Sequence, residues 1–172
     1  WSGMPPILDQ FSEILWAESP VLDEYKFTVG SDDIARVWGC DDEGRAWAGA
    51  PDIIGVANNK VTLADLKTSV KPYSRKWPSH LEKGSKEWRD LLGGYMKFKK
   101  CCKQLAAYEI AIEQTLGLKV QQAAILVSTP ERTQIFKISK NYLNCFKKDW
   151  YKIVKEYYKQ IEEIDEHNSN LI

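Results

Sequence analysis

Two apolar runs, 46–56 and 61–68, meet at Asn58-Asn59, and this pair constrains the fold more than any other feature of the chain. Asparagine tolerates the positive φ of a tight turn, so the runs are expected to pair antiparallel about it. Both carry charge away from the turn: Asp52 within the first, Asp65 and Lys67 late in the second. Residues two apart in a strand share a face, which puts Asp65 and Lys67 on one side and Leu66 on the other. Pairing across the turn brings Asp52 alongside Asp65. Charges inside apolar runs are expensive unless they are paired.

The flanking sequence extends this hairpin into a larger fold. Pro5 and Pro6 precede Ile7, Leu8, Phe11, Ile14 and Leu15, a spacing that predicts a short amphipathic helix, with an extended segment from Trp16 to Val21. Segments 25–30, 35–40, 46–56 and 61–68, separated by turn residues such as Asp41-Asp42-Glu43-Gly44, predict an antiparallel meander. Residues 71–90 are polar and basic, with Pro72, Pro78 and Gly84 as breakers, and predict a mobile loop. Tyr95, Leu105, Tyr108, Ile112 and Leu116 predict a helix over 92–116 that Gly117 stops. Strands are expected at 123–127 and 133–138 around the Pro130 turn, and a closing helix at 141–164. This order describes an α/β (α+β) fold, a mixed sheet flanked by helices, in one domain spanning 1–172.

Composition excludes some classes. With 44% apolar and 28% charged residues, the chain has the makeup of a globular domain rather than a disordered one. No apolar run approaches the roughly 18 residues of a membrane span, and no secretory signal is visible, so no membrane partner and an intracellular location are expected. The chain starts at Trp1, which suggests that an upstream piece has been removed. Cys40, Cys101, Cys102 and Cys145 form no CxxC pair and match no zinc spacing, so reduced thiols are expected.

Net charge is zero but unevenly spread. Residues 1–66 carry 12 acidic against 4 basic side chains, whereas 71–103 carry 10 basic against 3 acidic, interleaved with Tyr73, Trp77, Trp88, Tyr95 and Phe98. Such a strip either is a solvated basic face or neutralises phosphates and stacks unpaired bases.

Asp52, Asp65 and Lys67 admit two readings. They form a buried or solvent-facing ion-pair network, or the two carboxylates converge on a hard divalent cation such as magnesium, with Lys67 as a fixed positive charge beside it. Gln104 and Tyr108, four residues apart on one helical face, could hold a water or phosphate oxygen and stack or donate a hydrogen bond.

The set Gly49-Ala50-Pro51-Asp52, Asp65-Leu66-Lys67-Thr68-Ser69 and Gln104-Leu105-Ala106-Ala107-Tyr108 resembles the PD-(D/E)XK nuclease superfamily, in its RecB-like branch with the mitochondrial genome maintenance and phage exonucleases. The resemblance covers most of the chain from about Glu18. It implies a restriction-endonuclease-like sheet and a Mg2+- or Mn2+-dependent DNA exonuclease acting on single strands or ends, in phage, bacterium or organelle. Asp52, Asp65 and the Leu66 carbonyl would be metal ligands, with Glu18 as a further one or else a solvent-facing strand residue. Lys67 would be the catalytic lysine and Gln104 a supporting catalytic residue, while Thr68, Ser69, Lys71, Arg75, Lys76, Trp77 and Tyr108 would meet DNA. Relatives of that branch carry an upstream helix with a Gly-x-x-x-His pattern, which nothing before Glu18 matches; His80 and His167 lie elsewhere. The cysteine spacing does not provide for an iron–sulfur cluster. A catalytically incomplete nucleic-acid-binding module and a structure-selective endonuclease are the alternatives.

Overall fold

The computed structural model describes residues 36–170 and the backbone of 13–17. In chain order these form β1 (Glu13–Ala17), β2 (Val37–Cys40), β3 (Ala46–Gly49), β4 (Ile53–Ala57), β5 (Lys60–Thr68), α1 (Lys86–Leu116), β6 (Gln122–Ser128), β7 (Thr133–Ser139) and α2 (Lys140–Ser169). Asn58 and Asn59 have φ of 52° and 59°, the left-handed pair needed by the tight β4–β5 turn. The hairpin register sets Ala57 opposite Lys60 and Ile53 opposite Ala64, so Asp52 and Asp65 occupy the next facing positions.

The main sheet runs β1-β4-β5-β6-β7. Among the described residues its one parallel pair is β5 with β6, and α1 is the crossover that such a pair requires. Ser85 caps α1, its side chain accepting from the Trp88 N–H, and Gly117 ends it in the left-handed region at φ 65°. The α1 face bearing Phe98, Cys102, Leu105, Ala106 and Ile112 buries against Leu63, Ile125, Val127 and Ile138, with Leu143 and Phe146 of α2 closing the same core. Each large side chain buried there contributes about 1.5–3 kcal/mol. Among the described residues, no helix is long and apolar enough to cross a membrane.

The mixed α+β architecture agrees with the sequence expectation, but three local expectations fail. Ile14 and Leu15 lie in β1 rather than in a helix, because the open edge of β4 supplies backbone partners, with a register break between Ile14 and Trp16. The preceding residues of that expected helix, and the strand expected at 25–30, lie outside the described residues. The run 46–56 is two strands in different sheets: Pro51, which has no N–H to donate, stands at the break, and β3 pairs with β2 in a separate two-stranded sheet. Residues 86–90 open α1 instead of ending the basic loop, because Ser85 starts the helix there.

Side chains of the helices dock the small sheet and the loop. Gln114 meets both the Cys40 N–H (2.8 Å) and its carbonyl (3.0 Å), and Thr115 Oγ1 meets the Trp38 N–H and carbonyl at 2.8 and 2.9 Å. Gln134 of β7 likewise clamps Tyr73, accepting from its N–H at 2.8 Å and donating to its carbonyl at 3.0 Å. A Cβ at Gly94 would stand 2.6 Å from the Pro72 carbonyl oxygen, so glycine is what lets α1 close on the segment between β5 and α1, residues 69–85, which forms a strap. Glu109, 1% exposed, receives both Lys140 and Lys147 of α2, and so joins the two helices.

Candidate active site

The carboxyl end of β5 gathers the charged residues of the hairpin. Asp52, just before β4, accepts the Leu66 N–H on Oδ2 at 2.7 Å, which ties the start of one strand to the end of the other. Asp65 is only 2% exposed. Lys67 Nζ lies 3.1 Å from its Oδ1 and 3.0 Å from Oδ2, although the second contact lacks hydrogen-bond alignment and leaves Oδ2 buried without a hydrogen bond.

From the other side, α1 brings Gln104, whose Oε1 accepts from Lys67 Nζ at 3.2 Å. Gln104 Nε2 donates to Tyr108 OH at 2.9 Å, so the two residues four apart act as one unit. Tyr108 in turn rests on β3 at Gly49.

Electrostatics follow from this packing. Burial raises the Asp65 carboxyl to about 7, and hydrogen bonding with the neighbouring Asp52 carboxyl pushes the same way, while Lys67 opposes both. Burial also works against the charge of Lys67, but the Asp65 carboxylate outweighs it and holds the ammonium above its ordinary pKa. The result is two neighbouring carboxyl groups beside one ammonium, with the buried Asp65 favouring its protonated form more than a free carboxyl does.

Two neighbours were not singled out from the sequence as site residues, Lys97 being counted only within the basic strip. Cys101 sits beside Asp65 and Tyr73, and burial pushes its thiol up to about 11, so it is a neutral wall of the site. Lys97 donates to Ser69 Oγ at 3.0 Å. The signal was present: Lys97, Cys101, Gln104 and Tyr108 recur at three- and four-residue steps on one helical face.

The other candidates are scattered. Thr68 follows Lys67 and faces the opposite side of the sheet by strand alternation. Lys71 pairs with Asp90. Arg75 donates to the Lys137 carbonyl and lies over the Phe98 and Tyr142 rings at 5.5 and 5.8 Å, which fastens the strap. Lys76 is exposed, and Trp77, 51% exposed, meets Tyr95 edge-on at 5.4 Å. Glu18 lies outside the described residues.

No protein-family model and no curated protein matches the chain. Among solved structures it is similar to SSO0001, at 16% identity and a TM-score of 0.35 over 69% of this chain and 48% of that one. It is also similar to a protein of Eubacterium rectale provisionally assigned as an exonuclease, at 16% identity and a TM-score of 0.42 over 87% of this chain and 49% of that one. The chain spans about half the length of each.

Proposed function

We propose that the protein is a divalent-metal-dependent nuclease of the PD-(D/E)XK superfamily, RecB-like branch, that degrades DNA from single-stranded or frayed ends. The observation that carries this reading is the convergence of Asp52, Asp65, Lys67 and Gln104 at one end of β5, around a buried Asp65 oxygen with no hydrogen bond. That orphaned oxygen beside a second carboxyl suits a hard cation such as Mg2+ or Mn2+, with Asp52, Asp65 and the Leu66 carbonyl as its protein donors. Bound there, such an ion supplies Lewis acidity toward a phosphoryl oxygen and lowers the pKa of a water.

The chain's own groups do the rest. Lys67, anchored on Asp65 and Gln104, presents a fixed ammonium to a phosphodiester and stabilises negative charge as it builds. Gln104, oriented by Tyr108, holds Lys67 in place and offers its amide to water or a phosphate oxygen. Ser69 with Lys97, and the exposed Lys76 and Trp77, offer a path for the strand leading away. The exonuclease preference comes from the motif resemblance.

One observation favours a second reading, a binding module without catalysis: among the described residues, no group of three His, Cys, Asp or Glu side chains could hold a metal. End-labelled single- and double-stranded DNA incubated with Mg2+ or with chelator tests both. Metal-dependent shortening that disappears in Asp65→Asn and Lys67→Ala supports the nuclease, and cleavage surviving in both variants removes it. A labelled circular single strand left intact supports end dependence. DNA binding without cleavage, together with no Mg2+ heat by calorimetry, supports the module.

A further inference from the structure

We infer that an unpaired nucleobase of the bound strand seats in the recess at the ends of β5 and β6, which Ser69 links to Lys97 and which Thr68 and Ser128 line from the sheet face opposite Lys67; this rests on the nuclease reading. The recess has a volume of about 410 Å³ and is lined by Thr68, Ser69, Val70, Ser128, Thr129 and Pro130. That is within the roughly 300–1,000 Å³ of small-ligand pockets. It lies at the carboxyl ends of the two parallel strands, the place where open α/β sheets receive ligands.

Its chemistry discriminates between parts of a nucleotide. Among the described residues no charged side chain lines it, so these offer a phosphate nothing to pair with. Val70 and Pro130 form apolar lips, Val70 being 83% exposed with no core to serve. Thr68 and Ser128 face each other in register, and among the described residues neither hydroxyl has a hydrogen-bond partner. The Thr129 hydroxyl, by contrast, is spent on the Arg132 N–H and carbonyl within its own turn. Apolar lips above free hydroxyls suit a flat base with a polar edge. The cation that a phosphate needs stands at the rim: Lys97, bonded to Ser69 and 5.8 Å from the Tyr73 ring centre. A base enters such a recess only when it is unpaired, so the recess selects single strands and frayed ends over intact duplex.

Oligonucleotides with one 2-aminopurine at successive positions from an end are bound to the full chain in chelator, and their fluorescence is read. The same series with one abasic site is then cleaved in Mg2+. The fluorescence should respond at one position above all others, and an abasic site there should raise KM about three- to tenfold. Val70→Ser and Ser128→Ala should weaken that response and remove most of the abasic penalty. Both sites are at the surface or half-buried, and circular dichroism checks the fold. Equal responses at every position, or an abasic penalty unchanged in both variants, overturn the pocket while metal-dependent cleavage keeps the nuclease. A position-specific response without cleavage overturns the nuclease and keeps the pocket on a binding module; no oligonucleotide binding overturns both.

Discussion

Gly49 lies against the ring of Tyr108: a Cβ built at Gly49 would stand 2.4 Å from Cε1. The Gly-Ala-Pro-Asp stretch therefore sets the position of the tyrosine as well as that of Asp52. Gly49→Ala should displace the ring, weaken the Gln104–Tyr108 bond and cost about 1–3 kcal/mol by urea denaturation. Combined with Tyr108→Ala, which removes the ring, the alanine should cost far less, and a double-mutant cycle measures the difference.

The buried Asp65 makes stability depend on pH in the metal-free protein. Its folded pKa, about 7, is raised above the usual carboxyl value of 3.8, so the folded state favours the protonated form. The stability this confers is complete below about pH 4 and is lost as pH rises through 7. Asp65→Asn should flatten this dependence and make the chelated protein more stable at pH 8 by roughly 2 kcal/mol, which denaturation at several pH values checks.

Binding of the proposed cation should reverse that penalty. Mg2+ or Mn2+ at a hundredfold excess over its Kd should stabilise the wild-type chain by about 2.7 kcal/mol. Scanning calorimetry should show a rise in Tm that chelator abolishes and that Asp52→Asn and Asp65→Asn lack. An equal rise in Asp65→Asn would place the ion elsewhere.

Gln134 carries the strap through two main-chain hydrogen bonds to Tyr73. Gln134→Ala should leave that buried N–H and carbonyl unpaired and destabilise by about 1–3 kcal/mol. Limited trypsin digestion should show faster cutting at Arg75 and Lys76, while the Asp65–Lys67 pair, on another strand, stays in place.

The β4–β5 hairpin was legible because its signals are local. Asn58-Asn59 dictates the turn, the period of two dictates the face, and together they bring Asp52 to Asp65 without help from the rest of the chain. The Gln104–Tyr108 contact was legible for the same reason, from one helical turn. The identity of β1 was not, because its partner is the edge of β4, some forty residues away, and a few apolar residues fit helix and strand alike. The division of 46–56 into two sheets turns on where β3 finds support, which comes from Ala107 and Tyr158, both remote in sequence. The placement of Lys71 and Arg75 was equally hidden: charge alone suggests DNA, while their partners are Asp90, Phe98 and Tyr142.

The crossover of α1 also dictates an order of assembly. Asp52 reaches Leu66 across 14 residues, whereas Gln104 reaches Lys67 across 37, and closing the longer span waits on helix docking. A partly folded chain is therefore expected to gather its acids before it steadies its lysine, which leaves the polar centre incomplete until the helix has docked.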